Sequence, residues 1–126
     1  MLRDTDITTL VAVRDLGEAM AFYEENLQLV RTDESSGWAQ YQSGTSDLIV
    51  YESQLGGTNK ATTAAWTVND VEETVRDLRA AGVSSFQRYD DLPGATRDGD
   101  IHNSGAVKMA WFKDPSGNIF EINGRS

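Results

Sequence analysis

The fold is decided by one stretch of the sequence, Trp111-Phe112-Lys113-Asp114-Pro115-Ser116-Gly117-Asn118-Ile119-Phe120-Glu121-Ile122. Its flanks are aromatic and β-branched, which is typical of strands. Its centre supplies turn chemistry, because Pro115 fixes φ and Gly117 can adopt a positive φ. The stretch therefore predicts a β-hairpin. Glu121 shares a strand face with Ile119 and is predicted to line a polar cavity, since a carboxylate on a half-buried strand needs a polar partner. The alternative is a solvent-facing position.

A weak internal repeat organises the rest of the chain. Val13-Arg14-Asp15-Leu16 recurs as Val68-Asn69-Asp70-Val71, at an offset of 55 residues. Each copy follows a strand-like run and opens a segment of helical periodicity, with Asp as the predicted N-cap. Three more strand-like runs follow each helix. The sequence thus predicts one α+β domain over residues 1–126, made of two tandem βαβββ units at residues 5–53 and 61–124.

The predicted strands after each helix, and the segments between the units, can be placed on the sequence. In the first unit the strands are Gln28–Thr32, Trp38–Ser43 and Leu48–Ser53, and in the second they are Ser84–Tyr89, Ala106–Lys113 and Asn118–Asn123. The linker between the units is Gln54–Lys60. Asp90–Gly105 is a long irregular insertion, and long loops of this kind are often functional. We interpret it as a flap over a cavity mouth.

Two motifs resemble those of a known family. The first motif is the hairpin described above, and the second is the segment Val13–Leu27, which contains the pairs Phe22-Tyr23 and Asn26-Leu27. Both resemble motifs of the glyoxalase/bleomycin-resistance/extradiol-dioxygenase superfamily, also called vicinal oxygen chelate proteins. The resemblance implies that the two units form a half-open barrel around a cavity. It also implies a homodimer, since members of the family often pair or exchange such units. It is specific for the fold and not for an activity.

The same resemblance bears on metal binding. Metal-dependent members take their ligands from four symmetric strand positions, two of them usually His or Gln and the others often Glu. Here Thr8 and Thr63 stand at the expected His positions, and Glu121 matches a Glu position. With a single histidine the chain cannot build a 2-His-1-carboxylate iron site. The resemblance therefore implies a member without a catalytic metal cofactor. If a divalent cation does bind, Glu121 and Glu52 are its expected ligands.

Composition limits the classes of partner. The chain has 11 basic and 20 acidic side chains, for a net charge of −9, and no cysteine. The acidity argues against nucleic acid and anionic membranes, because both need a basic surface. It suits a neutral or cationic small molecule. No apolar run reaches membrane-spanning length. No signal peptide is visible, so a cytoplasmic location is expected.

Three functions remain open from the sequence, and whether the chain is an enzyme is left undecided. The first is a small-molecule-binding protein of the bleomycin-resistance type, with an aromatic or cationic ligand. The second is a glyoxalase-like lyase or isomerase, metal-assisted or metal-free, with Glu121 and His102 as catalytic groups. The third is an auxiliary domain that packs on a partner protein. The candidate ligand-binding residues are Thr8, Thr63, Trp38, Trp111, Tyr51 and Arg97. For the aromatic residues the alternative is core packing, and for His102 it is an idle, solvated loop histidine.

Overall fold

The computed structural model describes residues 1–125, and Ser126, the last residue of the predicted domain, lies outside them. A 3₁₀ turn, Leu2–Asp4, precedes the first repeat. The first repeat contains β1 (Thr9–Val13), α1 (Leu16–Ala21) with a π-helical turn (Phe22–Asn26), β2 (Val30–Ser35), β3 (Trp38–Ser43) and β4 (Ser46–Glu52). The second contains β5 (Thr62–Thr67), α2 (Val71–Ala80), β6 (Thr96–Asp98), β7 (Ile101–Ser104), β8 (Val107–Lys113) and β9 (Ile119–Arg125).

Both helices begin at the predicted aspartates. Asp15 accepts a 3.0 Å hydrogen bond from the amide of Glu18, and Asp70 accepts an equivalent 3.0 Å bond from the amide of Glu73. Each carboxylate satisfies an amide in the first helical turn that has no partner within the helix. The N-cap predictions are confirmed, and the repeat is visible in identical local chemistry 55 residues apart.

The strands form two sheets that do not close on each other. The first has the order β1-β4-β3-β2 and the second the order β5-β9-β8-β7-β6. In each sheet the strand before the helix pairs in parallel with the last strand of its repeat, and the remaining pairs are antiparallel. Parallel pairing requires a crossover, which the helices provide. The predicted α+β class with two tandem repeats and a half-open barrel is confirmed, and the second repeat has one strand more than the predicted βαβββ unit.

The prediction for Ser84–Gly105 is wrong in two respects. Ser84–Tyr89 is not a strand: within it, Gln87 forms an isolated antiparallel bridge with Trp111. Asp90–Gly105 is not wholly irregular, because β6 and β7 form a hairpin at the edge of the second sheet. The hairpin turns at Gly99, where φ is +63°, a conformation that suits glycine. Its strands are short and polar, so they carry little of the hydrophobic alternation that predicts a strand.

One apolar core serves both repeats. Along each strand, side chains that face the helices are buried, as with Val11 and Val13 on β1 and Phe120 and Ile122 on β9. Aromatic rings join the repeats across this core: the ring centroids of Phe22 and Phe112 lie 6.4 Å apart, and those of Tyr23 and Phe120 lie 6.1 Å apart. The alternate side chains of each strand lie on the other face of the sheet. We call that face, opposite the helices, the open face.

The predicted linker is held against the turn of the last hairpin. The amide of Gly57 in the linker donates a 3.3 Å hydrogen bond to Oδ1 of Asn118 in the turn. Asn118 in turn donates a 2.7 Å hydrogen bond to the carbonyl of Ala12 at the end of β1. Gly57 packs so closely that a Cβ at this position would lie 1.7 Å from the Ser116 carbonyl oxygen. The linker therefore acts as a rigid connection between the repeats. No helix among the described residues is long and apolar enough to cross a membrane.

Candidate ligand-binding site

Cross-strand register brings four of the predicted site residues to the open face of the second sheet. Arg97 pairs with His102, and His102 pairs with Met109. In the adjacent row Trp111 pairs with Glu121. Paired residues point to the same side of a sheet. Since Phe112 and Phe120 beside them are buried in the core, these side chains lie on the open face.

Glu121 lies on this face at the end of a hydrogen-bonded chain. Asn123 donates a 2.6 Å hydrogen bond to Oε2 of Glu121, and Thr67 donates a 2.7 Å bond to Oδ1 of Asn123. The amide orients the carboxylate, and the hydroxyl orients the amide. Glu121 is partly buried, and each carboxylate oxygen can accept more than one hydrogen bond. The carboxylate is therefore positioned to receive a donor or a cation from the open face.

His102 is not a loop residue, which corrects the expectation of a solvated histidine in a flap. It lies on β7 and is fully buried. Its Nε2 accepts a 2.9 Å hydrogen bond from the Tyr89 amide, so Nδ1 carries the proton and faces the Asp100 carbonyl at 3.2 Å. Burial lowers the pKa of His102, because the charged imidazole is poorly solvated there. Both ring nitrogens are engaged by the backbone, so the predicted role of His102 as a catalytic acid or base would require one of these hydrogen bonds to open.

Trp111 forms the floor of a hollow on the open face. The hollow has a volume of about 260 Å³, and its other lining residues include Lys60, Tyr89, Asp91, Leu92 and Ile119. Trp111 makes edge-to-face contacts with the rings of Tyr89 at 5.2 Å and His102 at 4.9 Å. Residues 89–92 thus form one wall of the hollow. Within the predicted flap, Asp91 and Leu92 border this hollow, whereas residues 96–98 and 101–104 belong to the sheet.

Arg97 is already paired. Its Nε lies 2.7 Å from Oδ1 of Asp90, and its Nη1 donates to the Gly99 carbonyl at 2.8 Å. The ion pair raises the pKa of Arg97 and lowers that of Asp90. Hence Arg97 holds the start of the 90–95 loop to the hairpin, and an anionic ligand would have to displace Asp90 to reach it.

The remaining predicted residues lie apart from this hollow. Thr63 is the extra residue at a register shift in β5, and Thr8 is exposed just before β1. Trp38 and Tyr51 pair directly across β3 and β4, on the open face of the first sheet. Within one chain the structure therefore divides the predicted binding residues between two sheets.

A sequence model of the Glyoxalase/Bleomycin resistance protein/Dioxygenase superfamily matches residues 7–122, which is most of the chain. The chain belongs to this superfamily. No curated protein sequence matches it. The family assignment confirms the resemblance inferred from the hairpin and from the first helix.

Solved structures of superfamily members share the fold at low sequence identity. A bleomycin-binding protein in complex with bleomycin is 20% identical, with a TM-score of 0.70 over 96% of this chain and 98% of that one. A lactoylglutathione lyase from Agrobacterium tumefaciens is 18% identical, with a TM-score of 0.68 over 95% of this chain and 93% of that one. The fosfomycin resistance protein FosX from Listeria monocytogenes is 15% identical, with a TM-score of 0.69 over 96% and 93%. At these identities the likeness establishes the fold alone.

The donor set of this superfamily member does not fit a catalytic transition metal. Register shows which residue matches Glu121 in the first repeat: Ala65 pairs with Glu121, and Leu10, 55 residues before Ala65, pairs with Ile49. The equivalent position thus holds an aliphatic side chain. Among residues 1–125 no group of three His, Cys, Asp or Glu side chains could hold a metal ion.

Glu52 is not the missing partner of Glu121. It pairs with the buried Val13, and so it lies on the other side of the sheet from Ile49. There it accepts a hydrogen bond from the Leu16 amide at 3.2 Å, at the start of α1. Glu52 lies on the helix side of the first sheet and Glu121 on the open face of the second, so one chain does not bring these two expected cation ligands together.

Asn123 is a site residue that the sequence analysis did not identify. It contacts Glu121 and Thr67 at once, and it occupies the same face because it lies two residues after Glu121 on β9. The alternation rule that placed Glu121 would have found it. Its amide supplies both a donor and an acceptor, and it is what links the carboxylate to β5.

Proposed function

We propose that this chain is a small-molecule-binding protein that operates without a catalytic metal, with its ligand on the open face of the second sheet. The observation that carries the proposal is the oriented carboxylate of Glu121 directly beside Trp111. A fixed carboxylate next to an indole offers an ion-pair partner and an aromatic surface together. This combination favours a ligand that is cationic and partly aromatic.

The net charge of the chain supports a cationic ligand. The hollow next to Glu121 has one acidic and one basic lining residue, Asp91 and Lys60, between the apolar side chains of Leu92 and Ile119. The chain as a whole has a net charge of −9. A negative protein attracts cations to its surface and speeds their association. One relative by fold carries bleomycin in its solved structure, which is consistent with a site for a large ligand on this scaffold.

Calorimetric titration with two probes, bleomycin and benzyltrimethylammonium, tests the proposal. Glu121→Gln keeps the side-chain size and the amide contact but removes the charge, so affinity should fall by roughly fivefold, about 1 kcal/mol for a partly screened charge pair. Asp77→Asn, at an exposed position on α2, makes the same change of charge away from the site and should leave affinity unchanged. The proposal fails if neither probe binds or if both variants weaken binding equally.

A lyase or isomerase reaction with Glu121 as the base is the alternative. It is less supported, because such chemistry needs a second proton-transfer group and His102 is committed to the backbone. Turnover of any substrate that is lost in Glu121→Gln would favour this alternative over binding alone.

We also propose a homodimer. Leu10 is 59% exposed and Tyr51 is 38% exposed, and they lie on neighbouring strands on the open face of the first sheet. Together with Trp38 and Ile49 they form an apolar surface, which in soluble proteins often marks an interaction site. Light scattering should give twice the 13.9 kDa chain mass, and Leu10→Ser should shift the protein toward the monomer. A monomer at all concentrations would contradict the proposal.

A further inference from the structure

A second hollow lies at the junction of the two repeats, on the core side of the second sheet. Its volume is 230 Å³. The first repeat contributes Leu27 and Leu29, and the second contributes Trp66, Leu78 and Ile122 among its walls. Ile122 precedes Asn123 and follows Glu121 on β9, so this hollow and the site on the open face are separated by the thickness of the sheet. We call it the junction cavity.

None of the residues that line the junction cavity is charged. Its walls are mainly aliphatic and aromatic, and Ser43 and Thr74 are the residues with polar side chains other than Trp66 in its lining. Burying a charged group against such walls would cost far more than burying a neutral one. The cavity therefore selects an uncharged ligand, in contrast to the carboxylate-bearing open face.

The two hydroxyl groups define the polarity of such a ligand. The Trp66 indole Nε1 donates a 2.8 Å hydrogen bond to Oγ of Ser43, which leaves the serine with its own proton to donate. Thr74 donates its proton to the Asp70 carbonyl at 2.8 Å, which leaves its oxygen able to accept. The cavity thus offers one donor and one acceptor, the complement of a single hydroxyl group on a ligand.

The walls and volume define the ligand's body. Trp66 stacks with Phe112 at a centroid distance of 6.2 Å and an interplanar angle of 19°, which gives the cavity a flat aromatic wall. An apolar cavity of about 150 Å³ in a protein core is large enough to bind benzene. At 230 Å³ the junction cavity has room for one ring with small substituents. Leu27, Leu29 and Leu78 are only partly buried, so the cavity is reached from the surface.

We propose that the junction cavity binds an uncharged small molecule with one apolar ring and one hydroxyl group. The ring packs on Trp66, and the hydroxyl exchanges hydrogen bonds with Ser43 and Thr74. Because both repeats line the cavity, the bound molecule stabilises their packing against each other. This site stands independently of the function proposed for the open face.

Nuclear magnetic resonance with 4-methylphenol as the probe tests the site in the intact chain. The sequence has three tryptophans, so a ¹H–¹⁵N spectrum contains three indole signals, and Trp66→Phe identifies the one that donates to Ser43. We expect 4-methylphenol to shift the Trp66 signal saturably and to leave that of Trp38 in place. The anion 4-methylbenzoate has a similar ring and should produce no saturable shift. Absence of a saturable Trp66 shift with 4-methylphenol, or an equal response to the anion, overturns the proposal.

A pair of matched variants tests the location. Leu29→Phe enlarges a partly buried side chain on the cavity wall, so it should remove the saturable Trp66 shift. Leu55→Phe makes the same change at a position that is 72% exposed in the linker, so the dissociation constant should stay within about twofold of the parent value. Unchanged binding by a folded Leu29→Phe variant would place the probe elsewhere and overturn the assignment.

Discussion

The hydroxyl group of Tyr23 donates a 2.8 Å hydrogen bond to Oδ2 of Asp114, and this contact joins the helical segment of the first repeat to the last turn of the second. Both side chains are buried. Oδ1 of Asp114 also accepts from the amides of Ser116 at 3.0 Å and Asn118 at 2.8 Å. A buried carboxylate is tolerated when donors surround it. Burial and the adjacent carboxylate raise the pKa of Tyr23, so the phenol remains a donor at physiological pH.

Tyr23→Phe should destabilise the protein by about 1–3 kcal/mol, because it removes a donor from a buried charge. Urea unfolding monitored by circular dichroism measures the change. Tyr51→Phe removes the same atom from an exposed side chain and should change the free energy of unfolding by less than about 0.5 kcal/mol. Equal effects of the two substitutions would show that the contact with Asp114 contributes nothing specific.

His102 should make stability depend on pH. Its pKa in the folded protein is lowered, first by burial, so below about pH 6.5, the ordinary pKa, the unfolded chain binds a proton that the folded chain resists. The free energy of unfolding therefore falls as the pH is lowered through this range, and it levels off below the folded-state pKa. Denaturant midpoints from pH 8 to pH 5 measure the slope.

His102 is the single histidine of the chain, so replacing it provides the control for this prediction. His102→Gln should be less stable at pH 8 and should lose most of the slope between about pH 6.5 and the point where carboxylates begin to titrate. Amide exchange at Tyr89, which donates to His102, should accelerate on acidification relative to the core. An unchanged slope in the variant would assign the effect to other groups.

Gly57→Ala should be strongly destabilising. Gly57 has φ of +74°, and a Cβ there would meet the Ser116 carbonyl oxygen at 1.7 Å. Gly94 has nearly the same φ, +72°, but a Cβ would meet nothing within 4 Å. Gly94→Ala should therefore cost only the backbone strain, about 1 kcal/mol, and thermal unfolding should show a larger loss for Gly57→Ala. Similar melting temperatures for the two variants would mean that the linker can move away from the turn.

Purified protein should contain no stoichiometric zinc, nickel, iron or manganese, since Glu121 lacks imidazole or carboxylate partners on its sheet face. Elemental analysis of protein prepared without added metal provides the measurement, and EDTA should leave the melting temperature unchanged. One equivalent of metal per chain that disappears in Glu121→Ala would contradict this expectation.

Local chemistry made much of the fold predictable from the sequence. The aspartates at positions 15 and 70 cap helices through contacts three residues away. The hairpin around Asp114–Gly117 follows from turn residues flanked by apolar strands. The family motifs correspond to these same local features, so the two lines of inference agree on the architecture.

Features set by distant contacts were less predictable. His102 lies on a short polar hairpin, whose strands leave almost no periodic signal, and it is covered by Tyr89 and Trp111. The sequence does not determine which face of the sheet carries Glu52, because a shift of one residue in strand register moves a side chain to the other face. In both cases the outcome is decided by pairing across the sheet, which local sequence does not specify.

The correspondence between Ile49 and Glu121 has a consequence for how this chain can change. The duplication supplies the same geometric position twice, and only one copy carries a charged group. The helix caps that each half needs for folding lie elsewhere in the repeat, at Asp15 and Asp70. The Ile49 copy of this position, which the proposed homodimer would cover, therefore has the same backbone frame as the Glu121 copy but an aliphatic side chain, so duplication allows one copy to serve association while the other carries a charge.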